Sequence, residues 1–209
     1  MKAAFVDRDG VLNELCYFPE AGIIDSPFTP QQLRLMPRAA KGIRLLNRLG
    51  LKVVVVSNQP GVAKNHFSEK TLDDINAKLV QGLRKQHARI DAIYCCLHHP
   101  QAKRRRWRKN CSCRKPKPGL ILKAARELHL DVKGSYLLGD SITDVQAGQR
   151  AGCKTIYIGR WKCDVCQFMT ERNVQPDFVA EDLWKAARLI QTLEAENGNL
   201  RRFRKLQRD

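Results

Sequence analysis

Apolar and polar positions follow two rhythms along this chain. Short apolar runs at residues 3–6, 52–56, 90–95, 135–138 and 154–158 read as strands, and the segments between them carry apolar residues at helical spacing. Lys52-Val53-Val54-Val55-Val56 is continuous and β-branched, the pattern of a strand covered on both faces. Residues 39–49 put Ile43, Leu46 and Leu49 on one helical face, with Pro37 ahead and Gly50 as a stop. Ser68-Glu69-Lys70-Thr71 opens a second helix that runs to about residue 87. Residues 119–130, 142–151 and 182–196 predict three more, and Phe178-Val179 a short last strand. Residues 15–36, with Pro19, Pro27 and Pro30, discourage helix and interior strand alike and are expected to lie irregularly over the end of the first strand.

Strands alternating with helices predict an α/β fold with a doubly wound parallel sheet. Residues 1–197 form one expected domain, and 198–209 a basic C-terminal tail. No large cap-domain insertion interrupts the pattern, so an open site is expected. A hydrophobic content of 43% in 209 residues suffices for a real core. No apolar run approaches the roughly 18–20 residues of a membrane span, and the first strand begins too near Met1 for a signal peptide. The expectation is a cytoplasmic protein, and without a heptad stripe a monomer.

Two features change this picture. A net charge of +17 favours anionic partners: phosphorylated metabolites, nucleic acid or acidic membrane surfaces. Eight cysteines in a reducing compartment point to metal rather than disulfides.

The first strand runs into Asp7-Arg8-Asp9-Gly10. At strand periodicity Asp7 and Asp9 project to the same side, and two carboxylates that close call for a cation. Mg2+ suits them, since it takes hard oxygen ligands and leaves room for a substrate phosphate. In parallel sheets ligands bind beyond the carboxyl ends of the strands, and Asp7, Asp9, Ser57 and Asp140 all fall at such ends.

Asp7-x-Asp9-Gly10, Ser57-Asn58-Gln59, Lys115 and Gly139-Asp140-x-x-x-Asp144 follow one another in an order that resembles the haloacid dehalogenase superfamily of phosphatases, over about residues 3–160. The resemblance implies Asp7 as nucleophile and Asp9 as the acid that protonates the departing alkoxide and then activates water. It implies Ser57 and Lys115 on the transferred phosphoryl group, and Mg2+ held by Asp7, Asp9 and Asp140. Substrate contacts would come from Arg8, Asn58, Gln59 and Arg114. Asp144 is expected to position Lys115 or a metal-bound water rather than to ligate the metal directly.

The loop at residues 97–118 carries a second constellation. Cys96-Leu97-His98-His99 and Cys111-Ser112-Cys113 offer thiolate and imidazole in fours, which suits a closed tetrahedral Zn2+ site of Cys96, His98, Cys111 and Cys113. Spacing alone leaves Cys95 and His99 open as alternatives. No acidic residue lies between Asp91 and Glu127, so Lys103, Arg104, Arg105, Arg106, Arg108 and Lys109 repel one another. A structural Zn2+ spanning residues 96–113 would offset that repulsion and set Arg114 and Lys115 at the site. Together with Cys-Arg-Lys-Pro-x-Pro-Gly, this loop resembles the histidinol-phosphatase-type branch, most closely the heptose bisphosphate 7-phosphatases. The implied substrate is a heptose 1,7-bisphosphate, with histidinol phosphate as an alternative. Trp107 among the cations, and the tail residues Arg201, Arg202, Arg204, Lys205 and Arg208, keep open a polynucleotide 3'-phosphatase. Cys163-x-x-Cys166 has no second pair and stays unassigned.

Overall fold

The computed structural model describes the backbone of residues 1–159 and 163–206, with side chains at 1–159 and 166–198. The described residues include eight strands and seven α-helices. The strands are β1 (Ala3–Val6), β2 (Cys16–Phe18), β3 (Ile23–Asp25), β4 (Lys52–Asn58), β5 (Ala92–Cys96), β6 (Tyr136–Gly139), β7 (Lys154–Ile158) and β8 (Phe178–Ala180). The helices are α1 (Ala39–Arg48), α2 (Gly61–Lys64), α3 (Glu69–Lys85), α4 (Gly119–Glu127), α5 (Ile142–Ala151), α6 (Cys163–Glu171) and α7 (Leu183–Leu206).

Six strands form one sheet in the order β5-β4-β1-β6-β7-β8, every pair parallel. The chain starts in the middle of the sheet and winds outward both ways, which is the doubly wound topology the alternation predicts. Strand alternation splits the core in two. Ala4, Val6, Val53 and Val55 pack with α1, α3 and α7, while Ala3, Phe5, Val54 and Val56 pack with α4 and α5. Val53 through Val56 are all completely buried, and each full burial contributes about 1.5–3 kcal/mol. The helix starts follow local chemistry: Ser68 Oγ accepts from the Thr71 amide at 3.0 Å, and Ser141 and Asp144 close a reciprocal capping box on α5. Among the described residues no helix is long and apolar enough to cross a membrane.

Residues 15–36 are less irregular than expected. β2 and β3 pair antiparallel, with Tyr17 opposite Ile24. The three prolines stand outside both strands, so the rule against proline in strand interiors is obeyed and does not exclude a hairpin. The stacking of Phe18 on Phe28, centroids 4.0 Å apart, holds the hairpin to the body. At the other end α7 runs on to Leu206, since Gly198 is followed by good helix formers, and the expected tail begins as helix. The side chains of Cys163 and of the tail arginines, and all of residues 160–162 and 207–209 with Arg208, lie outside the described residues.

Candidate active site

β1, β4 and β6 end side by side, and their carboxyl ends deliver the candidate site. Asp7 leaves β1 with its carboxylate turned toward Lys115: Nζ lies 2.8 Å from Asp7 Oδ1, 2.6 Å from Asp144 Oδ1 and donates to the Val56 carbonyl at 2.9 Å. Lys115 itself is only 4% exposed. Its backbone is fixed by Asn58 at the end of β4, whose Nδ2 donates to the Lys115 carbonyl and whose Oδ1 accepts from the Lys115 amide, both at 3.1 Å. Asp140 follows β6. Gly10, at φ +81°, makes the turn after β1, and a Cβ there would collide with the Asp140 carboxylate. At the end of β6, Gly139 leaves the same kind of space for Asp144.

Carboxylate oxygens of Asp7, Asp140 and Asp144 lie within 4.8 Å of one another. Three acidic groups so close, with one ammonium among them, leave negative charge uncompensated. Burial first, and then the charges of Asp7 and Asp144, push Asp140 up to about 7. Burial alone would lower Lys115, but Asp144 and Asp7 outweigh it and hold the ammonium above its usual range. Burial pushes Asp144 up against the pull of Lys115. Of the two effects in this pair, the retained lysine proton governs, because the ammonium touches two carboxylates. The Lys115–Asp144 contact is an ion pair off the line of a hydrogen bond, and Asp144 Oδ2 accepts from the Ser141 amide at 3.2 Å.

Asp9 is held differently. Its Oδ1 accepts from Arg8 Nε and Nη2 (3.2 and 3.0 Å) and from Asn13 Nδ2 (2.9 Å), and its Oδ2 from Gln59 Nε2 (2.6 Å). Gln59 Nε2 also donates to Ser57 Oγ at 2.8 Å, which leaves the serine hydroxyl proton free to point elsewhere. A cavity of about 240 Å³ collects Asp7, Asp9, Ser57, Asn58, Arg114 and Lys115, with Leu15 and Ile24 of the hairpin side as an apolar wall. Larger hollows of about 460 and 730 Å³ open beside Asp140, but neither touches Asp7 or Lys115.

Three expectations meet a different geometry here. Arg8 and Gln59 are fully buried and bonded to Asp9 and to each other, so their polar atoms are engaged in holding Asp9. Asp9 does not join the carboxylate cluster through its side chain, whose two oxygens are both engaged; Asp144 stands there with Asp7 and Asp140. Asn58 lines the cavity, but both polar atoms of its side chain are spent on Lys115. Asn13 and Asn76, partners of Asp9 and Arg8, went unnoticed in the sequence. Asn13 had one signal, its place four residues after Asp9 in the same turn; Asn76 had none.

Beside this site, Cys96, His98, Cys111 and Cys113 converge. The Cys113 sulfur is 3.2 Å from each of the Cys96 and Cys111 sulfurs and 3.3 Å from His98 Nδ1. Cys96 lies 3.5 Å from Cys111 and 3.7 Å from His98 Nδ1. Bonds of about 2.0–2.3 Å to a tetrahedral Zn2+ require edges of nearly this size. Cys95 faces the other side of β5, toward Asn76, and His99 Nδ1 accepts from the Gln101 amide at 3.1 Å, so neither alternative joins the group. Lys103, Arg105, Arg106, Arg108 and Lys109 are exposed; Arg106 pairs with Glu69, and Arg104 bonds Asn65. Trp107 is turned in against His98, centroids 5.4 Å apart, and is not presented as a platform for a nucleic-acid base.

A family model described as HAD-hydrolase-like matches residues 112–186. Over 150 residues the chain is 39% identical to the D-glycero-beta-D-manno-heptose-1,7-bisphosphate 7-phosphatase of Rhodopseudomonas palustris, covering 72% of this chain and 79% of that protein. It is 31% identical over 203 residues to the protein of the same name from Mesorhizobium japonicum, covering 94% and 86%. The crystal structure of D,D-heptose 1,7-bisphosphate phosphatase from B. bronchiseptica, complexed with magnesium and phosphate, superposes with a TM-score of 0.75 at 29% identity, covering 92% of this chain and 99% of that one.

Proposed function

The chain belongs to the D-glycero-beta-D-manno-heptose-1,7-bisphosphate 7-phosphatase family of haloacid dehalogenase-like phosphatases, and from that premise we propose that it removes the 7-phosphate of D-glycero-β-D-manno-heptose 1,7-bisphosphate through a phosphoryl group carried on Asp7. One contrast carries the reading. Asp7 faces an open cavity beside a buried ammonium, whereas Asp9, two residues on, is clamped through both oxygens. The first arrangement suits a nucleophile, the second an oriented proton carrier.

Asp7 attacks phosphorus in line, and the bond to the sugar oxygen breaks. Asp9 gives that oxygen its proton. In the second half, Asp9 takes a proton from water, which attacks phosphorus and frees Asp7. Lys115 neutralises the charge gathering on the phosphoryl oxygens, and the free Ser57 hydroxyl proton donates to one of them. Arg114, on the cavity wall with Nη1 donating to the His98 carbonyl at 3.3 Å, meets the rest of the substrate. The crowded carboxylates of Asp7 and Asp140 fit Mg2+, which when bound shields the phosphate from the incoming carboxylate. Cys96, His98, Cys111 and Cys113 fit Zn2+ in a structural role, keeping Arg114 and Lys115 in place.

Phosphate release with Mg2+ tests the reading across both anomers of the heptose bisphosphate, fructose 1,6-bisphosphate, histidinol phosphate and a 3'-phosphorylated oligonucleotide, with Asp7→Asn as blank. The β anomer should lead in kcat/KM by orders of magnitude and yield the 1-phosphate. A lead by any other substrate overturns the substrate assignment, and turnover by Asp7→Asn overturns the nucleophile.

A further inference from the structure

We propose that Asn76, on α3, is a positioning residue for Asp9 and acts through the buried Arg8. The proposal rests on the reading of Asp9 as the proton carrier. Arg8 is 0% exposed, and a guanidinium out of water must spend its donors on acceptors. Nε and Nη2 hold Asp9 Oδ1, and Nη2 also donates to Gln59 Oε1 at 2.9 Å. Gln59 closes the ring by holding the other oxygen of Asp9. Nη1 points out of that ring and donates to Asn76 Oδ1 at 2.9 Å. Asn76 thus fixes the far end of the fork whose near end aims Asp9.

The surroundings argue that this asparagine serves the contact rather than the helix. Its neighbours on the inward side of α3, Leu72, Ile75 and Leu79, are buried and apolar. Asparagine is a weaker helix former than leucine or alanine, and half-burying its amide has a cost unless its partners are good. Among the described residues its side-chain Nδ2 has only Cys95 Sγ, at 3.9 Å, so the short contact to Arg8 is the one that matters. Asn76 lines surface grooves of about 630 and 360 Å³ between α3 and the edge strand β5, and it does not line the catalytic cavity. Removing Oδ1 would leave Nη1 as a charged donor facing a groove open to solvent. The guanidinium would then turn toward water, and its grip on Asp9 Oδ1 would loosen.

Leaving-group chemistry separates aiming an acid from supporting a fold. A sugar oxygen needs a proton as it departs, whereas 4-nitrophenolate does not, and kcat/KM reports only the steps through its departure. Asn76→Ala should lower kcat/KM for the sugar bisphosphate about 10-fold or more, chiefly through kcat, and that for 4-nitrophenyl phosphate by less than about 3-fold. Asn76→Asp, which restores an oxygen acceptor, should recover most of the loss. Equal losses on both substrates, no loss on either, or no recovery by Asn76→Asp would overturn the proposal. Asp9→Asn, assayed beside them, locates a failure. If it spares the nitrophenyl ester and Asn76→Ala does not discriminate, the relay alone is wrong. If Asp9→Asn does not discriminate either, the acid assignment falls, and the relay with it. Should Asn76→Ala not fold, Asn76→Ser, which leaves room for a water, carries the same comparison.

Discussion

Replacing Lys115 with methionine keeps the stem and removes the charge. In the folded protein that charge lies 2.8 Å from Asp7 and 2.6 Å from Asp144. At an effective dielectric constant of about 20, a contact of that length is worth about 6 kcal/mol before desolvation is counted. Losing one partner of a buried pair costs about 3–5 kcal/mol net, because the carboxylates left behind have nothing to balance them. In a domain of this size that lowers Tm by roughly 6–20 °C. Thermal unfolding of Lys115→Met, Asp144→Asn and the double variant, without added Mg2+, forms a double-mutant cycle. Asp144→Asn removes one of the orphaned charges, so the double variant should be more stable than the sum of the singles by about 2 kcal/mol. Added Mg2+ should raise Tm more in Lys115→Met than in the wild type, since it brings positive charge back to the cluster. Activity should fall at least about 100-fold in Lys115→Met, the usual loss when a stabilising donor is removed. Additivity within about 0.5 kcal/mol would refute the electrostatic reading of this triad, whatever happened to activity.

Cys111→Ser should cost the protein its zinc, measured by atomic emission, and open residues 97–118 to limited proteolysis; an unchanged zinc content would refute the ligand set. Gly10→Ala combines a positive φ with a collision against Asp140, so it should lose about 1–2 kcal/mol of stability and nearly all activity, and wild-type turnover would contradict the packing described. The pH dependence follows from Asp140. Its folded-state pKa, raised to about 7, means that the metal-free fold prefers the neutral acid: its contribution to stability is complete below the ordinary carboxylate range and is lost as pH rises through about 7. Mg2+ needs the carboxylate, so the gain in Tm on adding Mg2+ should grow from pH 6 to pH 8, read by thermal shift, and a gain that shrinks over that range would exclude Asp140 as a ligand.

The sheet was legible because its signals are local. Val53–Val56, the Ser68 cap and the glycine stops each specify their element without knowledge of distant partners. The Cys/His group was nearly as legible, since its members form two pairs along the chain, Cys96 with His98 and Cys111 with Cys113. Strand alternation could have gone one step further: Cys95 and Cys96 are neighbours on β5 and must face opposite sides, so only one could join His98. Side-chain direction inside the turn after β1 was not legible. Arg8 looks like a substrate-binding cation until its acceptors are seen on α3 and at the end of β4, elements 50 and more residues away in sequence. The hold of Asn58 on Lys115 was illegible for the same reason, because its partner is the backbone of a distant lysine. The hairpin of β2 and β3 escaped because three-residue strands among prolines carry too little periodicity to read.

Gly10 and Gly139 are occupied space seen from the other side: Gly10 is the room that Asp140 needs from a distant strand end, and Gly139 the room that Asp144 needs from the helix that follows it. The short signatures that follow β1 and β6, neighbours in the middle of the sheet, are therefore one interlocking part, cut in two by the order of the chain. Grafting Asp-x-Asp-Gly onto another parallel sheet would transfer the acids without the volume that makes them cooperate. A library that randomises Gly10 alone searches only half of a joint. Variation there has somewhere to go only if position 140 is varied with it.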